Sequence, residues 1–218
     1  MALIAIAVIA SIAYGIYASS KRRKELIQWA LSKGLTFSAE KDSFFDSRYP
    51  GFSCLQRGDS RYACNIMTGG IAGRVFLGCD YHYSTGSGKS RHHYEFSLVI
   101  VNSPILLEPL LIRPENFADK LAALVGFDDI NFESAEFSKK FYVKAPNKKW
   151  AYDIIHPRMM EFLLSMPQFF IDFESLSVIV YRENLFSPAD FENAVNLING
   201  IFDRIPDYVV QDNKLKNR

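Results

Sequence analysis

The first eighteen residues carry no charged side chain, and Lys21, Arg22, Arg23 and Lys24 follow almost at once. Leu, Ile, Ala, Val and Tyr fill this run, interrupted by Ser11 and Gly15. A helix over residues 2–18 is about 25 Å long, close to the roughly 30 Å of a bilayer's hydrocarbon core. Tyr14 and Tyr17 stand near its far end, where aromatic rings suit the membrane interface. Lysine and arginine stay on the cytoplasmic side. The sequence therefore predicts a single-pass anchor over residues 1–20 in the cell (inner) membrane, with the following domain in the cytoplasm. A cleaved signal peptide fits less well. There is no basic segment before the apolar run, and Ile16-Tyr17-Ala18 is a poor cleavage site.

Three cysteines, Cys54, Cys64 and Cys79, show no Cys-x-x-Cys spacing. They read as small buried hydrophobes in a reducing compartment. Were the chain exported instead, Cys64 and Cys79 could meet across a Gly69-Gly70 turn as a disulfide. A net charge of +1 supplies no field for nucleic acid. The one basic block is accounted for by membrane topology.

Beyond the anchor, the spacing predicts a juxtamembrane helix over 21–34, an α+β domain over 35–206 and a polar, frayed tail over 207–218. Short strands are expected near Thr36 and Ser53. Longer ones are expected over 61–68, 74–83, 91–101 and 107–112, with the first turn at Gly69-Gly70. A helix should start at Pro114, a strand should cover 137–144, and two short helices should meet at His156. A hairpin over 169–181 follows. The last helix has the strongest start signal: Ser187, Pro188 and Asp190 form a capping box, with Phe186 and Phe191 as a staple. This order predicts an antiparallel β-rich domain behind an N-terminal membrane helix. It resembles a pleckstrin-homology-like split barrel with helical insertions.

One hairpin could carry chemistry. Apolar residues fall at Leu77, Cys79 and Tyr81, and again at Phe96, Leu98 and Ile100. Both sets share a face only if paired numbers sum to an odd value. A two-residue Ser87-Gly88 turn sets that sum at 175, placing Asp80 opposite Glu95 and His82 opposite His93. Two imidazoles and two carboxylates are suitable ligands for a divalent metal. The bland alternative is a solvated face near a hairpin tip. Residues 86–90 read Gly-Ser-Gly-Lys-Ser, but a P-loop needs an earlier glycine where Tyr83 stands, and a helix rather than a strand afterwards. Lys89 and Arg91 could still meet an anionic headgroup or partner.

Glu133, Glu136, Phe137, Phe141 and Val143 form an acidic-Phe-x-x-x-Phe-x-Val segment. Ala151 and Tyr152, then Pro157, Met159, Met160 and Glu161, continue the pattern. It resembles a bacterial family of membrane-anchored domains of unknown function. The resemblance implies one or two membrane spans and packing roles for these residues, and it transfers no catalytic group. The leading expectation is a non-catalytic, membrane-tethered module that binds a protein partner or lipid headgroup. The alternative is a metal-dependent hydrolase using Asp80, His82, His93 and Glu95.

Overall fold

The computed structural model describes residues 2–115, 130 and 132–214, with side chains described from residue 13 onward. Its elements in chain order are α1 (Ala2–Ser32), β1 (Thr36–Ser38), β2 (Asp59–Ile71), β3 (Arg74–Thr85) and β4 (His92–Pro114). Then come α2 (Ala135–Lys140), β5 (Phe141–Lys144), α3 (Lys148–Ile154), α4 (Pro157–Ser165), β6 (Phe170–Tyr181), α5 (Pro188–Phe202) and α6 (Asp207–Asp212). The strands make one antiparallel sheet in the order β1-β2-β3-β4-β5, with β6 also paired to β4. The protein is thus α+β. Among the described strands no pairing closes the sheet, so the expected split barrel is replaced by an open sheet.

Period-two alternation gives this sheet a core on each side. Cys79, Tyr81 and Tyr83 of β3 join Phe96, Leu98 and Ile100 of β4 beneath Phe45, Phe52 and Leu55. On the opposite face, Phe76, Val99, Val101, Val178 and Val180 pack against Leu26 and Ala30 of α1 and Phe191 of α5. Each such buried side chain contributes about 1.5–3 kcal/mol. The capping box at Ser187 and Asp190 is complete. Phe186 and Phe191 meet edge to face at 5.1 Å, which fixes the entry angle of α5.

Several local expectations give way to tertiary pairing. The first turn falls at Ala72-Gly73, both left-handed at φ 50° and 74°, so Gly69 and Gly70 stay within β2. Two strands expected over 91–112 are one continuous β4, whose register with β6 shifts between Asn102 and Leu107. Pro104 occupies that irregularity, where a missing backbone donor is tolerated. Likewise the hairpin expected over 169–181 is a single β6, with Ser175 at φ 52°. Ser53 opens a 3-10 turn instead of a strand. Phe137 lies in α2, because the Ser134 hydroxyl accepts its backbone N–H and starts a helix. Pro114 ends β4 rather than starting a helix, and the rest of the helix expected from Pro114 to Gly126 lies, from residue 116 on, outside the described residues. The tail is partly ordered: Val209 of α6 is buried, and Lys214 bridges to Ile105.

Gly58 ties the covering segment to the edge of β3. It is left-handed at φ 56°, and a Cβ there would stand 2.1 Å from the Ser84 carbonyl oxygen. Gly58→Ala is therefore expected to cost about 2–4 kcal/mol in urea unfolding. A loss under about 0.5 kcal/mol would show that the segment shifts freely.

Helix α1 is continuous from the uncharged run into the domain. Every residue from 13 to 21 is exposed, whereas Leu26 and Ala30 are fully buried. Among the described residues no helix is long and apolar enough to cross a membrane. Most of the uncharged run, residues 1–12, lies outside the described side chains.

Candidate functional site

The hairpin face is built by β3 and β4, and the register decides who meets whom. Asp80 lies opposite Ser97, His82 opposite Glu95, and Ser84 opposite His93. This is two residues from the expected pairing, because a 3-10 turn at Gly88–Ser90 lengthens the loop. A shift of two preserves parity. Asp80, His82, His93 and Glu95 accordingly share one face, the face on which α1 packs.

Asp80 is nevertheless committed elsewhere. Arg22 of α1 grips its carboxylate with two parallel hydrogen bonds, 2.7 Å and 2.8 Å long. The Asn65 amide donates a third at 2.7 Å, and the Ser97 hydroxyl donates a fourth. Arg22 Nε donates to the Phe186 carbonyl at 2.9 Å, so one guanidinium joins α1, β3 and the start of α5. A bidentate arginine–carboxylate pair of this geometry is among the stronger polar contacts available to a protein.

His82 and His93 do come together. Nε2 of His82 lies 3.1 Å from Nδ1 of His93, and Nδ1 of His82 lies 3.1 Å from the Ser60 carbonyl. A carbonyl only accepts, so His82 Nδ1 carries a proton. In the neutral ring Nε2 then accepts from His93. Tyr62 stacks on the His82 ring at 4.5 Å, and Lys41 caps the Tyr62 ring at 4.1 Å. With both His82 nitrogens engaged and Asp80 held by Arg22, the four residues do not converge as a ligand set. Among the described residues no group of three or more His, Cys, Asp or Glu is arranged to hold a metal.

Nearby chemistry is subdued as well. Burial pushes the Cys64 thiol up to about 11, with Asp80 and Glu95 adding to the rise and Lys41 and Arg23 opposing it. A thiol held there is a poor nucleophile at neutral pH. All three cysteines are free, as the reading of them as small hydrophobes expects, and Cys64 pairs with Asp80 across the sheet, so the Cys64–Cys79 disulfide raised for an exported chain is absent. At the tip, Arg91 donates to the Ser84 and Ser60 hydroxyls, which makes it a strut of the loop. Lys89 is exposed and forms no ion pair among the described residues.

A separate cavity of about 100 Å³ lies between β4, β6 and the covering segment, lined by Gly51, Ser53, Leu110, Leu111, Asp172 and Glu174. Loss of water pushes the Asp172 carboxyl up to about 8, and the Glu174 carboxylate adds to the rise.

Sequence reading missed Asp172 and Glu174 at this cavity and the Arg22 latch. A signal for the latch was present: Arg22, Leu26 and Ala30 recur every four residues and share one face of α1. An arginine in that stripe must find an acid on the sheet, and β3 offers one, Asp80.

No protein-family model and no curated protein matches the sequence. The chain is similar in structure to the mycobacterial trehalose monomycolate transport factor A, with a TM-score of 0.65 and 12% sequence identity. The alignment covers 84% of this chain and 94% of that one. A likeness of this kind carries the fold. The Phe-x-x-x-Phe pattern is a packing device here, since Phe137 and Phe141 stack at 5.0 Å and Met159 is buried.

Proposed function

We propose that this chain is a membrane-tethered, non-catalytic module whose domain works at the inner face of the cell membrane on a protein partner or a lipid headgroup. The observation that carries the reading is α1 itself. One unbroken helix is shared between the uncharged run and the domain. Its C-terminal turns are fixed by Leu26, Ala30 and the Arg22–Asp80 pair, while its exposed turns bear Tyr14, Ile16 and Tyr17. A tether that is a rigid extension of the core holds the domain in one orientation at the bilayer. Flexible linkers do not do this.

The binding reading is favoured over the hydrolase because Asp80 is held by Arg22, Asn65 and Ser97, and His82 and His93 are engaged with each other. The similar structure is named a transport factor, and we extend to this chain only the notion of an accessory role. The resemblance to membrane-anchored domains of unknown function supports the same reading.

Removing residues 2–20 is expected to move the protein from the carbonate-resistant membrane pellet to the soluble fraction, with the domain's thermal transition retained. Protease added outside spheroplasts should leave the domain intact. A truncated chain that stayed in the pellet, or a domain digested from outside, would overturn the proposal.

A further inference from the structure

We propose that the cavity between β4, β6 and the covering segment is a binding site for a primary ammonium group on a short alkyl stem, with Asp172 and Glu174 as its counter-ions. The inference goes beyond the tether reading and stands without it. Register is the first support. Leu111 pairs with Asp172 of β6 on one side and with Lys144 of β5 on the other. Paired residues share a face, and alternation brings Glu174 to the face of Asp172. Both acids line the cavity. Asp172 has no hydrogen bond or ion pair among the described residues, and the charge acting on it is that of Glu174. The covering segment holds Glu174 in place, since a Cβ at Gly51 would stand 2.3 Å from the Glu174 Cγ. Two acids side by side, one of them without a donor, call for a cation. Gly51 at the rim is exposed, so a ligand enters from solvent.

The lining decides which cation. Hard metal ions take about six or more oxygens, whereas Pro109, Leu111 and Pro146 form an apolar wall beside one hydroxyl, that of Ser53. Apolar walls suit an alkyl stem. A quaternary ammonium is recognised by an aromatic cage, and no aromatic ring lines this cavity among the described residues. The volume of about 100 Å³ lies between the roughly 30 Å³ of one water and the roughly 150 Å³ of a cavity that takes benzene. Binding is coupled to a proton. In the empty cavity Asp172 holds one at neutral pH, because loss of water and the Glu174 charge push its carboxyl up to about 8. The ammonium binds the carboxylate, so the proton leaves. Affinity should rise about tenfold per pH unit below about pH 8 and then level off. The other titratable groups facing Asp172 are Glu174 and Tyr181 on its own strand, Lys144 on β5 and Cys54 on the covering segment, while β4 contributes apolar groups. Burial pushes the Cys54 thiol and the Tyr181 phenol up, so neither gives up a proton in this range. Arg57 and Glu183 act on the same thiol and phenol as an ion pair.

The test is isothermal titration of the full chain, solubilised in neutral detergent, with n-butylammonium at about pH 7 in phosphate and in HEPES. Saturable binding with release of about one proton per site is expected. Asp172→Asn should weaken binding about tenfold and abolish the proton release. Glu174→Gln should weaken it as well. Nα-acetyl-lysine amide is the second arm. Its binding assigns the site to the lysine side chain of a protein partner, and binding of butylammonium alone assigns it to a free amine. Tetramethylammonium, methylguanidinium or calcium binding as tightly as butylammonium overturns the ammonium assignment. The site itself is overturned by the absence of saturable heat up to about 10 mM amine in both buffers, or by Asp172→Asn binding as tightly as the parent.

Discussion

Asp80→Ala is expected to cost about 3–5 kcal/mol of folding stability and to loosen the helix from the domain. The magnitude follows from what is stranded. Side-chain exposure is 21% for Arg22 and 7% for Asp80, so the surviving guanidinium would remain largely out of water without its counter-ion. Asn65 and Ser97 would lose their acceptor too. Arg22→Ala leaves the opposite charge buried and should cost a similar amount. The two losses should not add, because each variant breaks the same pair. Arg22→Met combined with Asp80→Leu should recover much of the stability, since well-packed apolar residues often replace a buried ion pair at no net cost. Urea unfolding measures these differences. Limited proteolysis at Lys21–Lys24 reads the loosened joint, because cutting there needs the first domain-packed turns of α1 to open. If each single variant lost less than about 1 kcal/mol, the pair would be behaving like a surface salt bridge, and the rigid joint on which the tether reading leans would be gone.

The same latch shows where sequence reading reaches its limit. Period and capping are local, and they were legible: the alternation of β3 and β4, the Ser187 capping box and the Pro157 helix start all stand as read. Face sharing at the hairpin was legible too, because parity survives a shift of two. Loop length was not. Gly88–Ser90 folds into a 3-10 turn through its own backbone, and no side-chain pattern announces that. Strand continuity was also hidden. Pro104 and Ser175 look like turn signals, yet β4 and β6 carry each other through both irregularities by hydrogen bonds on either side. The candidate site suffered most, since it depends on partners distant in sequence. Arg22 reads as one of four interchangeable basic residues until α1 is laid on the sheet. It then becomes the counter-ion that removes Asp80 from any ligand set.

Asp172→Asn is expected to stabilise the protein at alkaline pH and to flatten its dependence on pH. In the unfolded chain an aspartate titrates near 4. In the folded chain Asp172 is pushed up to about 8, first by loss of water and then by Glu174. Between these values the folded state holds a proton that the unfolded state has released. Stability therefore falls as pH rises through this window, by up to about 1.4 kcal/mol per pH unit, and levels off above about 8. The ceiling is about 6 kcal/mol. Water reaching the cavity reduces it, and about 3 kcal/mol is the expected gain of Asp172→Asn at pH 9. At pH 4 the aspartate is already protonated in the fold, so variant and parent should be nearly equal. Glu174→Gln serves as the companion measurement. It removes the neighbouring charge, lets Asp172 ionise more readily, and should shift the falling limb to lower pH without abolishing it. Urea midpoints for the three proteins from pH 4 to pH 9 test this directly. A parent whose stability rises across that range, with Asp172→Asn running parallel to it, would mean that the carboxyl is hydrated and that the space beside Gly51 and Leu111 is open to water.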